Sequence, residues 1–410
     1  MRSACAFLLC AAAACAAAEP LLVKGALVYT ITGPVLKDAD ILVKDGVIAE
    51  IGHGIAAPQG AKVIEARGKV AMPGFVVAQN LGIFGSGGSI PEGIDVFGLP
   101  MKLAVGSGVT AVCCRNTVIK MTCGDPEGVL LAPSPSMSVS LSWSGKEAFR
   151  RALLDAREQL RRAAPAEQAR GQAAPQAASP YARVLRGELP VRVSIDRAQD
   201  LLWAARIARE FNIRFIIEGA VEGWTVAEEL GRAKASVIFS VRVMAPPPET
   251  PDDPPGSSER AALMLARAGV SFALVPPSLA VTTAGGFAGR DIMAMPMEAA
   301  FAVRGGLDEA AALAAITIEP ARILGVEQRI GSLEKGKDAD IVILDGDPLH
   351  YKTFVDLTII NGKVYFDRAQ SDVFPRPEQP AAPQPSQPPQ PPQPQPQPQQ
   401  PEQPPRPPRQ

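Results

Sequence analysis

The sequence predicts an α/β protein: a (β/α)8 barrel of the TIM type with a small composite β-sandwich built from N-terminal and C-terminal segments. Two observations predict this fold. Short apolar, β-branched runs alternate with helical patterns through residues 71–328, as in a parallel sheet with crossover helices. Short all-β blocks flank this segment, in residues 19–70 and 329–370. We therefore expect the barrel in the middle of the chain and one sandwich shared by the two flanks.

The barrel strands are expected at short runs rich in Val, Ile and Leu. They are Phe75–Ala78, Val109–Cys113, Val191–Ile195, Arg214–Ile217, Ser236–Val241 and Val270–Val275, with Gly128–Leu131 or Met137–Leu141 as one more. Helices are expected at Lys146–Arg162 and Arg197–Phe211, where apolar residues recur on one face. A dinucleotide-binding fold is excluded because the glycines of residues 82–88 lack the Gly-x-Gly-x-x-Gly spacing after a strand. A closed barrel is therefore preferred.

The sandwich strands are expected at four runs in the first block and three in the second. They are Ala26–Thr30, Asp40–Lys44, Val47–Ile51 and Lys62–Glu65, then Ala339–Leu344, Asp356–Ile360 and Lys363–Phe366. Asn361 and Gly362 form a two-residue connection typical of a type I′ hairpin turn. Neither block alone has enough strands to cover an apolar face, so we expect them to pair.

The two ends and two internal loops are expected to lie outside the folded core. Residues 1–18 have the basic start, apolar stretch and small residues of a secretory signal peptide, which predicts a periplasmic or extracellular protein. Lipidation at Cys15 is an alternative. The Pro- and Gln-rich residues 371–410 predict an extended, disordered tail, either a spacer or a ligand for an envelope partner. Residues 163–180 are expected as an exposed excursion, and residues 244–258 as a lid or a surface insertion.

Composition excludes several classes of protein. The net charge of −1 argues against nucleic acid as a partner, and no segment reaches the about 20 uncharged residues of a membrane span. Only two histidines, His53 and His350, are present, which excludes a His-rich metal site and any Ser-His-Asp or Cys-His catalytic device in the barrel. Cys123 could form a disulfide with Cys113 or Cys114, or all three could be buried apolar residues.

Four stretches of sequence resemble the amidohydrolase superfamily, nearest its imidazolonepropionase-like branch. They are residues Asp40–Ile48, Met72–Phe75, Ile316–Gly325 and Gly331–Ile341. The resemblance covers roughly residues 21–366. It implies metal-dependent hydrolysis of C–N bonds in cyclic or peptide-like substrates. Zinc or another divalent metal would lie at the carboxyl ends of the barrel strands, and a homodimer is a further implication.

The family's metal-ligand positions carry other residues in this chain. The His-x-His pair aligns with Gln79, Asn80 and Leu81, and the histidine after the fifth strand aligns with Ser194. After the sixth strand the chain reads Glu218-Gly219-Ala220 where the branch resembles Glu-His-Gly, and the aspartate of the eighth strand aligns with Pro277. We therefore expect no catalytic residue, no metal ligand and no cofactor.

Eight polar residues at predicted strand ends are candidates for contact with a ligand. They are Gln79, Asn80, Arg115, Asn116, Ser194, Asp196, Glu218 and Arg242. Asp196, Glu218, Glu222 and Asp125 could alternatively form an all-oxygen Ca²⁺ or Mg²⁺ site. Structural roles are also open: Asp196 with Gln199 has the spacing of a helix capping box, and Glu218 could pair with Arg197 or Arg242.

The leading hypothesis is an exported, non-catalytic binding or scaffold protein with an amidohydrolase fold, whose partner is an unknown small molecule or an envelope component. The alternative is an active amidohydrolase with an atypical carboxylate-based metal site. A third hypothesis makes the fold a rigid domain that displays the tail to an envelope partner.

Overall fold

The computed structural model describes residues 19–80, 93–126, 128–140, 142–170, 179–243, 256–279, 281, 291–371 and 374. The predicted signal peptide, nearly all of the predicted tail, Leu81, the glycines of residues 82–88 and residues 244–255 lie outside this set. Among the described residues, no helix has both the length and the apolar character that a membrane crossing requires.

The described chain alternates strands and helices in its middle and is all-β near both ends. The strands are β1 Leu21–Tyr29, β2 Val35–Lys44, β3 Val47–Gly52, β4 Lys62–Glu65, β5 Val70–Pro73, β6 Phe75–Asn80, β7 Val109–Cys114, β8 Thr117–Lys120, β9 Leu130–Pro133, β10 Met137–Ser138, β11 Val191–Ile195, β12 Phe215–Gly219, β13 Ser236–Phe239, β14 Ser271–Leu274, β15 Ile341–Leu344, β16 Val355–Ile360 and β17 Lys363–Asp367. The helices are α1 Leu99–Gly106, α2 Trp143–Arg170, α3 Pro180–Leu185, α4 Ala198–Phe211, α5 Ala227–Arg232, α6 Ala261–Arg267, α7 Met295–Arg304, α8 Glu309–Ala314 and α9 Ile318–Ile323.

The two terminal blocks form one eight-stranded sheet, here called the composite sheet. Strand β15 joins the blocks by pairing antiparallel with β5, with Ile341 opposite Pro73. Side chains alternate along β15. Ile341 and Ile343 belong to a small hydrophobic core formed by the two terminal blocks, and Val342 and Leu344 belong to the large hydrophobic core of the molecule. The composite sheet therefore packs the N-terminal and C-terminal blocks against the middle of the chain.

The middle of the chain contains a five-stranded parallel sheet, β10 to β14, and a four-stranded sheet, β6 to β9. Strand β6 runs parallel to β7, but β8 and β9 continue as antiparallel hairpins. The sequence was interpreted as parallel strands only, with either Gly128–Leu131 or Met137–Leu141 as an extra strand; strands form in both places, as β9 and β10. The missed strand β8 follows β7 after only two residues, which a parallel connection cannot do.

Helix α2 continues to Arg170. The predicted loop at residues 163–180 is therefore helical in residues 163–170. Ala, Glu, Gln and Arg in this stretch are good helix formers, and they outweigh the one backbone donor that Pro165 removes.

Parallel pairing brings together the carboxyl ends of the strands that carry the candidate residues. In β11 and β12, Ser194 is paired with Glu218; in β6 and β7, Asn80 is paired with Cys114. Because the carboxyl ends of parallel strands point the same way, the polar residues that end these strands meet there. Residues 315–316 lie between the two sheets, since Ile316 O accepts from Val76 N at 3.0 Å and Ala315 O from Leu274 N at 2.9 Å.

Candidate functional site

A cavity of about 670 Å³ opens at the carboxyl ends of β6, β7, β11 and β12, and we call it the strand-end cavity. Its volume lies within the range of small-molecule sites, about 300 to 1,000 Å³. Its lining residues are Gln79, Asn80, Cys113, Arg115, Asn116, Ser138, Val139, Ser140, Ser142, Arg192, Val193, Ser194 and Glu218. Serine hydroxyls, side-chain amides and two guanidinium groups give this cavity a polar wall.

Six of the eight candidate residues line the strand-end cavity. They are Gln79, Asn80, Arg115, Asn116, Ser194 and Glu218. Asp196 and Arg242 do not line it. The sequence interpretation missed Arg192, Cys113 and three serines. The signal for Arg192 was its position two residues before Ser194 in a strand, which places both side chains on one face.

Arg192 lies inside the protein and binds Glu218. Its side chain is 6% exposed, and its Nε donates to Glu218 Oε1 at 2.5 Å. A second guanidinium nitrogen donates to Ala78 O at 2.8 Å, and the third lies 3.4 Å from Cys113 Sγ. The guanidinium group thus connects β11 with β6, β7 and β12 across the interior. Glu218 is the only carboxylate among the described residues that line the cavity.

The expected partners of Glu218 bind other carboxylates. Arg197 donates to Glu222 at 3.0 Å, and Arg242 donates to Glu298 at 2.5 Å. The expectation that Glu218 pairs with Arg197 or Arg242 was therefore wrong, because Arg192, on the neighbouring strand, is closer. Burial raises the pKa of Glu298, although hydrogen bonds from Ser240 and the charge of Arg242 oppose that rise.

The expected helix cap at Asp196 was also wrong. Helix α4 begins at Ala198, and no side chain of its own N-terminus caps it. Instead Ala198 N donates to Glu222 Oε2 at 2.7 Å, so a carboxylate 24 residues later in the chain satisfies this donor. The side chain of Asp196 is exposed, above the backbone of Gly219.

The four carboxylates of the alternative metal site do not gather. Glu218 is bound to Arg192, and Glu222 caps α4. Asp125 lies at the composite sheet, where it accepts from Tyr365 Oη at 3.2 Å and lies 3.5 Å from Lys363. Among the residues that the structure describes, no three His, Cys, Asp or Glu side chains are placed to hold a metal ion.

Gly219 marks the position that the resemblance aligns with a histidine. Its φ is +93°, in the region that side-chain-bearing residues rarely adopt. A Cβ atom at this position would overlap the carboxylate of Asp196. The backbone therefore disfavours a side chain at residue 219, and the exposed carboxylate of Asp196 would have to move aside for one.

A two-residue turn carries Arg115 and Asn116 to the cavity. Cys114 pairs with Thr117, and the residues between them have φ values of +45° and +61°. Asn116 is fixed there, because its Nδ2 donates to Ser136 O at 2.6 Å and its Oδ1 accepts from Ser136 Oγ at 2.5 Å. The hairpin end is thereby tied to the segment that precedes β10.

Asn80 is buried and holds a neighbouring loop. Its Nδ2 donates to Leu279 O at 2.5 Å, after the end of β14. Asn80 therefore joins the strand-end cavity to the segment after β14, which contains Pro277.

Cys113, Cys114 and Cys123, the cysteines of the described residues, are free in this structure, and Cys123 is partly exposed. The disulfide alternative is not present, and Cys113 and Cys114 are buried as the other interpretation expected. Burial raises the pKa of the Cys113 thiol, and it raises the pKa of Cys114 to about 11. Cys113 therefore lines the cavity as a protonated thiol near neutral pH, and a protonated thiol is a poor nucleophile.

Comparisons with known proteins point to one superfamily. A family model described as the amidohydrolase family matches residues 233–365. Among curated proteins, amidohydrolase tasK of Hapsidospora irregularis is 38% identical over 94 residues, which is 20% of this chain and 10% of that protein. A dihydroorotase of Citrifermentans bemidjiense is 39% identical over 56 residues, 14% of this chain and 13% of that protein. The chain thus matches only a small part of the length of these relatives.

Solved structures extend the likeness to most of the chain. An amidohydrolase from Thermotoga maritima superimposes with a TM-score of 0.68 at 25% identity, covering 85% of this chain and 100% of that one. A prolidase complexed with N-methylphosphonate-L-proline superimposes with a TM-score of 0.55 at 17% identity, covering 84% and 99%. The matched family segment and this shared fold support membership of the amidohydrolase superfamily.

Proposed function

We propose that this chain is a non-catalytic member of its superfamily that binds a small molecule in the strand-end cavity. The observation that supports this proposal above the others is the ion pair of Arg192 with Glu218. In this pair, the permanently charged guanidinium of Arg192 contacts the only carboxylate of the described cavity wall.

A divalent cation does not fit this arrangement. Glu218 would have to exchange a short, partly buried contact with Arg192 for the metal, and the guanidinium would stay within a few ångströms of the ion. Two unit charges of the same sign at about 4 Å repel by about 4 kcal/mol at an effective dielectric constant of about 20, and a divalent ion doubles that cost. Arg192 cannot lose its proton to relieve the repulsion.

The positions aligned with family ligands support the same conclusion. Gln79 offers an amide and Ser194 a neutral hydroxyl, both weak donors for zinc, and Gly219 and Pro277 offer no side-chain donor. We therefore derive no catalytic step through a metal. The alternative, an active hydrolase with a carboxylate-based site, has no cluster of carboxylates in its favour.

The proposal includes a closed barrel. The backbone bonds of residues 315–316 to β6 and β14 are what a last barrel strand between them would make. The likeness to the Thermotoga maritima amidohydrolase supports this interpretation. The imidazolonepropionase-like branch and a homodimer remain predictions from the resemblance.

Export is part of the proposal and has its own test. We expect expression of the full chain with its own N-terminus to yield a secreted or periplasmic protein that begins near Glu19. N-terminal sequencing of the isolated protein checks this, and an intact Met1 on cytoplasmic protein would contradict it.

Metal analysis tests the proposed function. Chain dialysed against zinc, manganese or nickel is expected to retain far less than one ion per molecule and to leave dihydroorotate and N-acetyl-proline unhydrolysed. About one bound ion per chain that is lost in Glu218→Gln and kept in Glu188→Gln would overturn the proposal. Glu188 is the matched control because it also pairs with an arginine, Arg186, but at the surface.

A further inference from the structure

We propose that the proline-rich tail docks on helix α4 of the same chain, through Glu402 in the sequence Pro401-Glu402-Gln403-Pro404. The docking surface, here called the α4 groove, lies along the outside of α4 between α2 and α5. This inference is independent of the strand-end cavity. Its support comes from the charges of the groove, the ring of Trp203, and the sequence and length of the tail.

Two adjoining cavities make up the α4 groove. One, of about 640 Å³, lies between α2 and α4, and the other, of about 630 Å³, lies between α4 and α5. Leu202 and Arg206 line both cavities, so the surface is continuous across α4. Leu202 is 40% exposed, and Trp203 is half-buried beside it. In the described part of the chain, α4 therefore presents apolar side chains to solvent along the groove.

The charges of the groove wall leave two arginines unpaired. The bound pairs are Glu147 with Arg151 at 2.8 Å, Glu210 with Arg150 at 2.6 Å, Glu229 with Arg232 at 3.7 Å, and Lys146 with Asp200. Arg206 and Arg209 line the groove one turn apart, and within the described ranges neither guanidinium has an ion pair or a hydrogen bond. A carboxylate on the occupant would balance them, because guanidinium groups bind carboxylates through charge-assisted hydrogen bonds.

Trp203 supplies both an apolar face and a hydrogen-bond donor. Its ring packs on buried Phe149, with 6.3 Å between the ring centres. Its indole N–H is accessible, and no residue that the structure describes accepts a hydrogen bond from it. Prolines offer carbonyl acceptors and no N–H, so a proline-rich segment binds surfaces that combine aromatic rings with donors. The groove therefore has the chemistry that recognises an extended proline-rich segment with one carboxylate.

The tail contains such a segment twice, since Pro-Glu-Gln-Pro occurs at residues 377–380 and 401–404. In a polyproline helix the glutamate lies about 3 Å along the axis from one proline and about 6 Å from the other. Trp203 and Arg206 are about 4.5 Å apart along the axis of α4. One proline can therefore lie on Trp203 while the glutamate contacts Arg206. The next charge after Glu402 is Arg406, about 12 Å further along such a helix and beyond this contact.

The length of the tail favours the second repeat. The described residues end at Phe374, whose ring centre lies 6.2 Å from that of Phe366 in the composite sheet. At about 3.1 Å per residue, Glu378 lies about 12 Å along the chain from Phe374, and Glu402 about 87 Å. A folded body of about 350 residues is about 50 Å across, so Glu402 can reach any of its faces. Glu378 stays near the composite sheet, whereas α4 joins β11 to β12 of the parallel sheet.

Hydroxyl-radical footprinting of the full chain, read by mass spectrometry, tests the inference through the oxidation rate of Trp203. The docked segment is expected to protect this ring. Glu402→Arg places a cation opposite Arg206 and Arg209, so the rate should rise at least about three-fold. Glu378→Arg is the matched control, because it makes the same change in the other copy of the tetrapeptide, and it should leave the rate unchanged. Trp224, half-buried and bound to Gly256 O at 3.0 Å, is the internal reference.

A charge exchange completes the test. The triple variant Arg206→Glu, Arg209→Glu and Glu402→Arg should restore most of the protection, at a melting temperature close to that of the unaltered chain. The inference is overturned if Glu402→Arg leaves the rate unchanged, if Glu378→Arg raises it equally, or if the folded triple variant stays unprotected. A rate that depends on protein concentration would mean that the groove takes the tail of a second copy, which also overturns docking within one chain.

Discussion

Lys120, Arg192 and Arg368 are the buried cations among the described residues, and the first two make an instructive pair: Lys120 packs against the composite sheet, and Arg192 lines the strand-end cavity. Lys120, 1% exposed, lies at the end of β8, where its Nζ contacts Asp338 at 2.7 Å and Asp340 at 3.0 Å and binds the side chain of Asn361. Arg192, 6% exposed, binds Glu218, a carboxylate whose side chain is still 16% exposed.

The difference shows which of the two pairs can be functional. Lys120 is enclosed by its partners. Through Asp340 it connects the β7–β8 hairpin to the turn after β16, so it holds these two segments together. Arg192 has the strand-end cavity on one side, where polar groups remain accessible to a ligand. A buried ion pair is therefore enclosed by protein in one region, and in the other it lies in the wall of a cavity.

The largest effect is expected for Lys120→Met. Removing the cation leaves two carboxylates at a buried position, so we expect a loss of about 3 to 5 kcal/mol in the free energy of unfolding, measured by urea denaturation. Burial raises the pKa of Asp340 even with Lys120 beside it, and removing Lys120 raises that pKa further. A folded-state pKa above the unfolded value means that protonation favours the folded state. The deficit of Lys120→Met should therefore shrink as the pH falls from about 8 to about 5.

A control keeps this prediction specific. Lys363→Met removes an exposed lysine that pairs with Asp125 in the same region, and it should cost less than about 1 kcal/mol. Equal losses of unfolding free energy in the two variants would contradict the structural role of Lys120. A loss in Lys120→Met that grows on acidification would contradict it as well.

The second effect, smaller than the first, is expected for Arg192→Met. Glu218 would lose its partner but could still reach water through the cavity, so we expect a loss of about 2 to 3 kcal/mol by the same measurement. The double variant Arg192→Met with Glu218→Leu should recover most of that loss, because no unpaired charge remains. A double variant as unstable as Arg192→Met alone would show that packing, not charge, decides stability at this position.

Gly219→Ala is expected to cost about 1 to 2 kcal/mol, mainly from its positive φ, with a smaller part from moving the exposed carboxylate of Asp196 aside. Gly336 of the composite-sheet region is the matched control: its φ is +90° and no atom lies within 4 Å of an added Cβ. Gly336→Ala should therefore cost only the conformational part, about 1 kcal/mol. Combining Gly219→Ala with Asp196→Ala should bring the loss close to that of the control. If Gly219→Ala costs no more than Gly336→Ala, Asp196 does not crowd the position.

The sequence predicted strands well wherever local pattern decides them. The bounds of β4 and β11 agree with the prediction, and Asn361 and Gly362 have φ values of +50° and +75°, as the predicted turn requires. Strand β8 was missed because it returns antiparallel to β7 after a two-residue turn, and an interpretation with parallel strands only has no place for such a hairpin. Only the distant Asp338 and Asp340 make burial of Lys120 tolerable, and no local window contains them.

The site was less predictable than the fold for the same reason. Strand-end position brought six candidates to one cavity, but their partners depended on contacts between remote segments. Glu222 caps α4 from 24 residues away, which the local capping pattern at Asp196 could not show. The family match also lies in residues 233–365, after Glu218, so similarity to relatives there says little about the cavity residues that precede it.

The smallest predicted effect completes the comparison with an exposed ion pair of the composite-sheet region. Glu334 accepts from Ser332 at 2.6 Å and Thr32 at 2.8 Å and lies 3.2 Å from Lys337, and these contacts lower its pKa to about 2. Because this pKa is lowered, the charge of Glu334 stabilises the folded state at pH values above its ordinary pKa of about 4.5, and that contribution is lost as the pH falls toward 2.

Since the side chain of Glu334 is 46% exposed, solvent screening should limit this contribution to a few tenths of a kcal/mol. Glu334→Gln should be slightly less stable than the unaltered chain at about pH 6, and the difference should shrink below about pH 4.5 and vanish as the pH falls to about 2, by urea denaturation at each pH. A difference that stays constant across this range would show that hydrogen bonding rather than charge gives Glu334 its role, in contrast to the buried carboxylates around Lys120.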